Sequence, residues 1–381
     1  MGGDWKEMFN AASEGDIELV KYHLKMGVDL NYQHPEYMTS VLIECIRLGK
    51  IEMVKFLLKN GADPSATEGF GTTTTLSIAK SEKNHEAVHL LISYLKKGKY
   101  PIPKIRINKI VVTGGNRGIG KAIAQKLLEE SQEVVIVCRN EEVGKSVVEE
   151  LKSKTGNSKI SMIQGDLSSI QKCKTLIEKI KIEHPDINIL INNAGIWMSE
   201  MQLNEDKLEM SFMVNYLAPY LLCDGLFPIL KNNQPARIVN VNAGLYVKGK
   251  LDVEKTPYGL DFGSIKTYMN TKFCNVMSTI DFSKRIEGSG VTINVVHPGV
   301  IKTGLGDSPK FLSKVVKFFK RFWKSPEYGA GAPTWLALSE ELDGVNGNYY
   351  NEKKIMEYID EVKNENSREA LRIKTEEILN K

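Results

Sequence analysis

KIVVTGGNRGIGKAIAQKLLEE, residues 109–130, is the stretch that decides the fold. A short run rich in Ile and Val reads as a strand, and Lys121 to Glu130 read as a helix. Between them stand Gly114, Gly118 and Gly120, in the pattern T-G-x-x-x-G-x-G. Glycine lets a chain turn sharply off a strand and lets backbone approach an anion closely. The helix opening near Gly118 points its free N–H groups and positive dipole end at the same place. A glycine triad alone is a weak signal. One that follows a strand and opens a helix points to a dinucleotide pyrophosphate.

Outward from that unit, apolar runs alternate with amphipathic helical stretches. The runs are EVVIVCR (133–139), ISMIQGDL (160–167), INILINNAG (187–195), ARIVNV (236–241) and VTINVVHPG (291–299). Short strands alternating with helices imply βαβ units. The fold class is therefore α/β, a Rossmann-type doubly wound parallel sheet.

Upstream the pattern changes to a repeat. GDIELVKYHLKMGVDLN begins at Gly15, GKIEMVKFLLKNGADPS at Gly49 and KNHEAVHLLISYL at Lys83, each thirty-four positions after the last. Apolar residues fall at helical spacing within each unit. The first two end in Gly-x-Asp, where glycine can take the left-handed conformation that closes a helix. The period and the G-x-x-x-x-V-x-x-L-L-x-x-G-A-D signature resemble ankyrin repeats. The T-P-L-H element is degraded to MTSVLIECI at 38–46. Three short repeats are expected, with the first and third as caps. Pro101 and Pro103 in KKGKYPIPK break the helical pattern. The domain reading is a small all-α ankyrin-repeat domain over 1–98, a linker over 99–104 and the α/β domain over 105–381.

The balance of 51 basic and 47 acidic residues leaves +4, too little over this length for a nucleic-acid binder. The five cysteines are scattered, odd in number and form no CxxC, so buried thiols are expected and no metal site. MGGDWKEMF has no apolar core for a secretory signal, and Lys6 stands where a myristoylation signal wants Ser or Thr. No apolar run approaches the ~20 residues of a membrane span. A cytoplasmic protein is expected.

TGGNRGIG, GDL, NNAG, a Y-x-x-x-K and HPG stand in order from about Lys104 to the C-terminus. This part of the chain resembles the short-chain dehydrogenase/reductases. KSPEYGA followed by G-x-x-G-x-Y-Y is most similar to their retinol-dehydrogenase-like branch. The resemblance implies hydride transfer to or from a nicotinamide dinucleotide. A carboxylate at the tip of the second strand would hold the ribose 2′-OH of NAD. Here that tip is Cys138-Arg139-Asn140, with Glu141 and Glu142 just beyond and Arg117 in the glycine loop. Two guanidiniums suit a 2′-phosphate, so NADP(H) is expected; the alternative is that Arg139 is only a solvated charge.

The resemblance further implies that Gly114, Asn116, Arg117, Gly118, Ile119 and Gly120 cradle the cofactor. Asp166 would accept from the adenine amino group, with Leu167 beside it. Asn192, Asn193, Ala194 and Gly195 would floor the adenosine ribose. Pro298, Gly299 and Thr303 would hold the nicotinamide amide.

YMNTK places Tyr268 and Lys272 one helical turn apart on one face. Carbonyl reduction needs a proton donor beside the hydride acceptor. A phenol of pKa ~10 is a poor acid–base at neutral pH, and a nearby cation lowers that value. By the resemblance, Lys272 also holds the nicotinamide ribose, and Asn215 supports a water-linked proton path to it. One family element is missing. IVNVNAGLYV (238–247) carries Asn242-Ala243 where the family has V-S-S, whose second serine binds the substrate oxygen. Ala243 cannot donate a hydrogen bond. Asn242 has two amide donors and is the expected substitute, with Tyr246 a second choice.

SPKFLSKVVKFFKRFWKSP (308–326) has an apolar helical face between basic residues. By resemblance it is a lid over a hydrophobic substrate; a basic amphipathic helix also suits peripheral contact with an anionic membrane. The C-terminal stretch from Asn351 reads as a solvated helix packed on the α/β domain. The repeats offer a surface to a protein partner or pack as an appendage, and a homo-oligomer is left open. Two readings follow. The first is an NADP(H)-dependent oxidoreductase for a hydrophobic alcohol and its aldehyde or ketone. The second is a dinucleotide-binding scaffold or redox sensor that has lost turnover.

Overall fold

The computed structural model describes residues 3–33, 37–68, 73–95, 107–301 and 324–380. The chain divides into two compact units, Met1–Arg106 and Ile107–Lys381. The linker expected at 99–104 lies outside the described residues. So do residues 302–323, which hold Thr303 and most of the basic amphipathic stretch.

The first unit is three helix pairs: α1 (Gly3–Glu14) with α2 (Ile17–Lys25), α3 (Val41–Arg47) with α4 (Ile51–Lys59), and α5 (Thr75–Ser81) with α6 (His85–Leu95). Asp16, Ser40 and Thr74 cap α2, α3 and α5, each side chain accepting a backbone N–H three residues on. Gly27 and Gly61, at φ 84° and 98°, close α2 and α4 as the Gly-x-Asp pattern predicts. Asn31 stitches one repeat to the next: its amide donates to the Gly61 carbonyl at 3.1 Å, and its Oδ1 accepts from the Asp63 N–H at 2.7 Å. Met8, Val20, Ile43, Val54, Leu57 and Leu91 belong to its core.

The second unit is built on a sheet of β1 (Lys109–Thr113), β2 (Glu133–Cys138), β3 (Ile160–Gln164), β4 (Ile189–Asn192), β5 (Ala236–Val241), β6 (Val291–His297), β7 (Tyr349–Asn351) and β8 (Lys354–Met356). Its spatial order is β8-β7-β6-β5-β4-β1-β2-β3, parallel except for the β7–β8 pair. The central strands are apolar along their length because helices cover both faces. α7 (Gly118–Glu129), α8 (Glu141–Thr155) and α12 (Pro326–Leu338) pack over one core; α9 (Ile170–Glu183), α10 (Met210–Asn232), α11 (Ser264–Arg285) and α13 (Glu365–Leu379) pack over the other. The order reverses beside β1, where β1 pairs with both β2 and β4. Ligands of such sheets bind at this reversal, off the C-terminal strand ends.

Of the stretch from Asn351, expected as helix, Lys354–Met356 instead forms the edge strand β8, and the long helix is α13, which packs on the α/β unit. Arg368 donates to Asp281 of α11 at 2.6 Å, and Tyr216 shares a 2.6 Å hydrogen bond with Thr375. All five cysteines are buried free thiols. Among the described residues one helix, α10, meets the length and mean hydropathy of a membrane span, although Asn215, Asp224 and Lys231 interrupt it and it is no continuous apolar run. However, 67% of its apolar window is buried inside the fold, so core packing explains its composition.

Candidate active site

The glycine loop leaves β1 at Gly114, whose φ of 67° suits glycine, and Arg117 is extended just before α7 begins. Gly120 is required by contact. A Cβ there would lie 2.2 Å from the Gly114 carbonyl oxygen and 2.4 Å from Asn193 Nδ2. The helix terminus thus rests directly on its own loop and on the NNAG turn. Asn193 ties that turn to β1 by donating to the Thr113 carbonyl at 2.9 Å, and the Thr113 hydroxyl accepts from the N–H groups of Asn193 and Ala194 at 3.0 Å.

These elements border one cleft of about 1270 Å³. Its lining includes Gly114, Asn116, Arg117, Gly118, Ile119, Gly120, Arg139, Asp166, Leu167, Asn193, Ala194, Gly195, Tyr268, Lys272, Pro298 and Gly299, all expected from the sequence. Asn192 is different. Its side chain turns into the core, donating to Asn240 at 2.9 Å and to the Cys223 sulfur at 3.3 Å, so it does not line the cleft.

At the glycine-loop end of the cleft, neither the Arg117 nor the Arg139 guanidinium has an ion-pair or hydrogen-bond partner among the described residues. Glu141 does not neutralise Arg139: it is paired with Lys145 at 2.6 Å. Burial pushes the Asp166 carboxyl up, but hydrogen bonds from Ser168 and Lys172 outweigh that and hold it below the usual carboxylate range.

At the other end, α10 carries a π turn over Met213–Leu217. Pro219 has no N–H to give to the Asn215 carbonyl four residues back, and the helix widens there. Asn215 projects its amide onto the segment after NNAG. Oδ1 accepts the Ile196 N–H at 2.8 Å, and Nδ2 donates to the Ile196 carbonyl at 2.9 Å and to Thr271 at 3.1 Å. A Cβ on Gly195 would stand 3.3 Å from Asn215 Oδ1 and 3.6 Å from Lys272 Nζ. The structure therefore brings Asn215, Lys272 and the NNAG turn together.

Tyr268 is 6% exposed and Lys272 is 5% exposed. Burial lowers the Lys272 ammonium to about 8. Burial also pushes the Tyr268 phenol well above its usual range. The sequence expectation was the reverse, a phenol lowered by its neighbour. The lysine does not oppose burial here because its Nζ is turned toward the strand, donating to the Val241 carbonyl at 3.2 Å, and lies 6.0 Å from the Tyr268 ring centre.

Asn242, expected as the substitute donor, lines the cleft, but its amide is engaged elsewhere. Its Nδ2 donates to the Lys272 carbonyl at 3.1 Å and to Asn275 Oδ1 at 2.8 Å, while its Oδ1 accepts the Ala243 N–H at 2.7 Å. The carbonyl and N–H partners fix which way the amide points, and both amide hydrogens are used. Asn242 and Lys272 clamp β5 and α11 from opposite sides: a side chain from each bonds backbone of the other. Asn242→Ala is expected to destabilise this unit by about 1–3 kcal/mol by leaving buried partners unsatisfied. A lower denaturation midpoint at unchanged slope is the check. Tyr246 is no substitute either; it is 1% exposed, and its ring packs on Tyr349 at 4.9 Å.

Sequence reasoning missed Trp197. Its indole stacks on the Tyr268 ring, with centres 5.1 Å apart and planes 16° apart, and it lines the cleft. His297 also lines the cleft, against Gly244. The only available signal for Trp197 was its place two residues after NNAG.

Residues 108–310 match the family profile of the short chain dehydrogenases, and residues 8–101 match ankyrin repeats in three copies. Retinol dehydrogenase 13 of Mus musculus is 33% identical over 269 residues, covering 68% of this chain and 80% of that protein. Retinol dehydrogenase 13 of Homo sapiens is 34% identical over 272 residues, covering 69% and 82%. Among solved structures, L-sorbose reductase from Gluconobacter frateurii, complexed with NADPH and L-sorbose, has a TM-score of 0.52 at 22% identity, covering 64% of this chain and 94% of that one. A gluconate 5-dehydrogenase from Burkholderia cenocepacia, in complex with NADP and tartrate, has a TM-score of 0.53 at 22% identity, covering 65% and 95%. These two likenesses establish the fold.

Proposed function

The chain belongs to the short chain dehydrogenase family, joined to N-terminal ankyrin repeats, and from that membership we propose that it is an NADP(H)-dependent oxidoreductase interconverting a hydrophobic alcohol and its aldehyde or ketone. The observation that carries this reading is convergence. The glycine loop, the NNAG turn and the buried Tyr268–Lys272 pair open on one cleft. A scaffold would need the first two and not the third.

The residues fit a dinucleotide. Only glycine fits at 120, under the loop, and the N-terminus of α7 supplies unpaired N–H groups for a pyrophosphate. Arg117 and Arg139, without an ion-pair partner among the described residues, are two cations suited to a 2′-phosphate. When bound, the nicotinamide supplies or accepts the hydride. Tyr268 gives its phenolic proton to the carbonyl oxygen during reduction and takes it back during oxidation. Lys272, protonated below about pH 8 and one helical turn away, stabilises the phenolate left behind once its Nζ swings from the Val241 carbonyl toward the phenol. Asn215 holds the Ile196 backbone and so the wall beside the lysine. Trp197 covers one face of the phenol ring.

Arg139→Ala is expected to weaken NADPH about 10- to 100-fold and leave NADH within about twofold, because one charge-assisted bond to the 2′-phosphate is lost. Equal losses for both cofactors would assign Arg139 to some other part of the nucleotide.

The deciding test is single-turnover oxidation of bound NADPH by apolar aldehydes and ketones. Oxidation supports the enzyme. Tight binding with no oxidation across the panel overturns it in favour of the scaffold or sensor, a second reading that Ala243 and the committed amide of Asn242 favour. In either case, the repeat unit is the part proposed to contact a protein partner.

A further inference from the structure

Trp197 is not accounted for by cofactor binding or by proton transfer. Its indole N–H donates to Ser264 Oγ at 3.0 Å, and that hydroxyl donates to the Met198 carbonyl at 2.7 Å. Ser264 lies one turn before Tyr268 on the same face of α11. On the other side, Ile196 is held through both its N–H and its carbonyl by Asn215. The residues before and after Trp197 are thus tied to two different helices, and the ring shares with Met198 the anchor at Ser264. The indole cannot rotate away without giving up its N–H bond to Ser264 and its stack on Tyr268. One of its faces covers Tyr268, and the rest of it contributes to the cleft wall.

This wall stands where a substrate must present its carbonyl to the phenol. Its neighbours in the cleft, Ile196, Met198 and Leu245, carry no charge. Flexible side chains such as Met198 repack around any apolar shape. A fixed indole does not. It rewards a flat ring, which can lie offset or edge-on against its π surface, by about 0.5–1.5 kcal/mol beyond simple burial. A puckered saturated ring of the same size gains none of that.

We propose that Trp197 is the specificity-determining residue of this site, selecting carbonyl substrates that carry an aryl ring next to the reacting carbon. This rests on the oxidoreductase reading above.

The test compares benzaldehyde with cyclohexanecarbaldehyde, using the full chain and NADPH. Their ratio of kcat/KM is measured in wild type, Trp197→Leu and Trp197→Phe. Comparing the same two aldehydes across variants cancels their different intrinsic reactivities. Trp197→Leu is expected to shift the ratio about five- to tenfold toward the saturated aldehyde, which is 1.4 kcal/mol at the upper end. Trp197→Phe, which keeps a π face, is expected to stay within about twofold of wild type. An unchanged ratio in Trp197→Leu overturns the proposal, as does a Phe variant that behaves like Leu.

If wild type turns over neither aldehyde, the oxidoreductase reading is what fails. The Trp197 assignment is then judged by calorimetric binding of benzyl alcohol and cyclohexylmethanol to the NADP-loaded chain. A preference for the aryl alcohol that disappears in Trp197→Leu upholds it. Equal binding of both alcohols to wild type overturns it.

Discussion

Tyr268→Phe is expected to lower kcat about 10²–10⁴-fold while leaving NADPH affinity within about twofold. The magnitude is that of a positioned acid–base group. The cofactor should be spared because phenylalanine keeps the ring that stacks on Trp197 and removes only the oxygen. Tyr268 is 6% exposed and lines the cleft, so the variant loses the acid positioned at the cleft wall. The pH profile gives an independent check. Below about pH 8, Lys272 carries its proton and, with its Nζ swung from the Val241 carbonyl toward the phenol, stabilises the phenolate formed when Tyr268 protonates the substrate. Above that value the cation is lost, so kcat/KM for reduction should fall as pH rises through about 8. Lys272→Met should remove that limb and lower the plateau. A profile flat through pH 9 in wild type would assign the proton transfer to other groups.

Ala243→Ser should work in the opposite direction, raising turnover about 10²-fold or more. The family resemblance places a serine hydroxyl at this position, bound to the substrate oxygen. One such donor is worth about 10²–10³ in rate. Neither of the two residues expected to replace it is free to do so. Asn242 is committed to Lys272 and Asn275, and Tyr246 is buried against Tyr349. Ala243 already lines the cleft and has its N–H fixed by Asn242, so the substitution adds one oxygen to a backbone already in place. Unchanged turnover in an active enzyme would mean that the carbonyl oxygen is held from another side. Activity gained by the serine variant alone would make the natural chain a dinucleotide-binding protein one atom short of catalysis.

These two substitutions bracket what could be read from residues and what could not. The parallel sheet was legible because buried β-branched runs alternated with amphipathic helices. The cofactor cradle was legible because Gly114 and Gly120 satisfy local demands, a positive φ and a backbone contact, that hardly depend on the rest of the fold. The repeats were legible because their thirty-four-residue step recurs with its capping residues and closing glycines. Tyr268 and Lys272 were legible as a pair because helical spacing alone puts them on one face.

Side-chain direction at the strand ends was not legible. Asn242 had the right chemistry for a donor, but its amide found nearer partners on α11, and a buried amide stays where its hydrogens are satisfied. The same packing reversed the expected shift of Tyr268. Spacing predicted a cation beside the phenol, while tertiary burial desolvated both groups and turned the ammonium toward the Val241 carbonyl. The polar stripe of α11, through Tyr268, Thr271, Lys272, Asn275 and Thr279, belongs to the same case. By composition it is a solvent face, yet every one of these residues is buried. Sequence alone determined which elements form and which chemical groups they carry, because propensity, periodicity and glycine geometry act within a few residues. Only the tertiary structure decided where Asn242, Lys272 and Trp197 point, because those directions are set by hydrogen bonds and ring contacts between segments tens of residues apart.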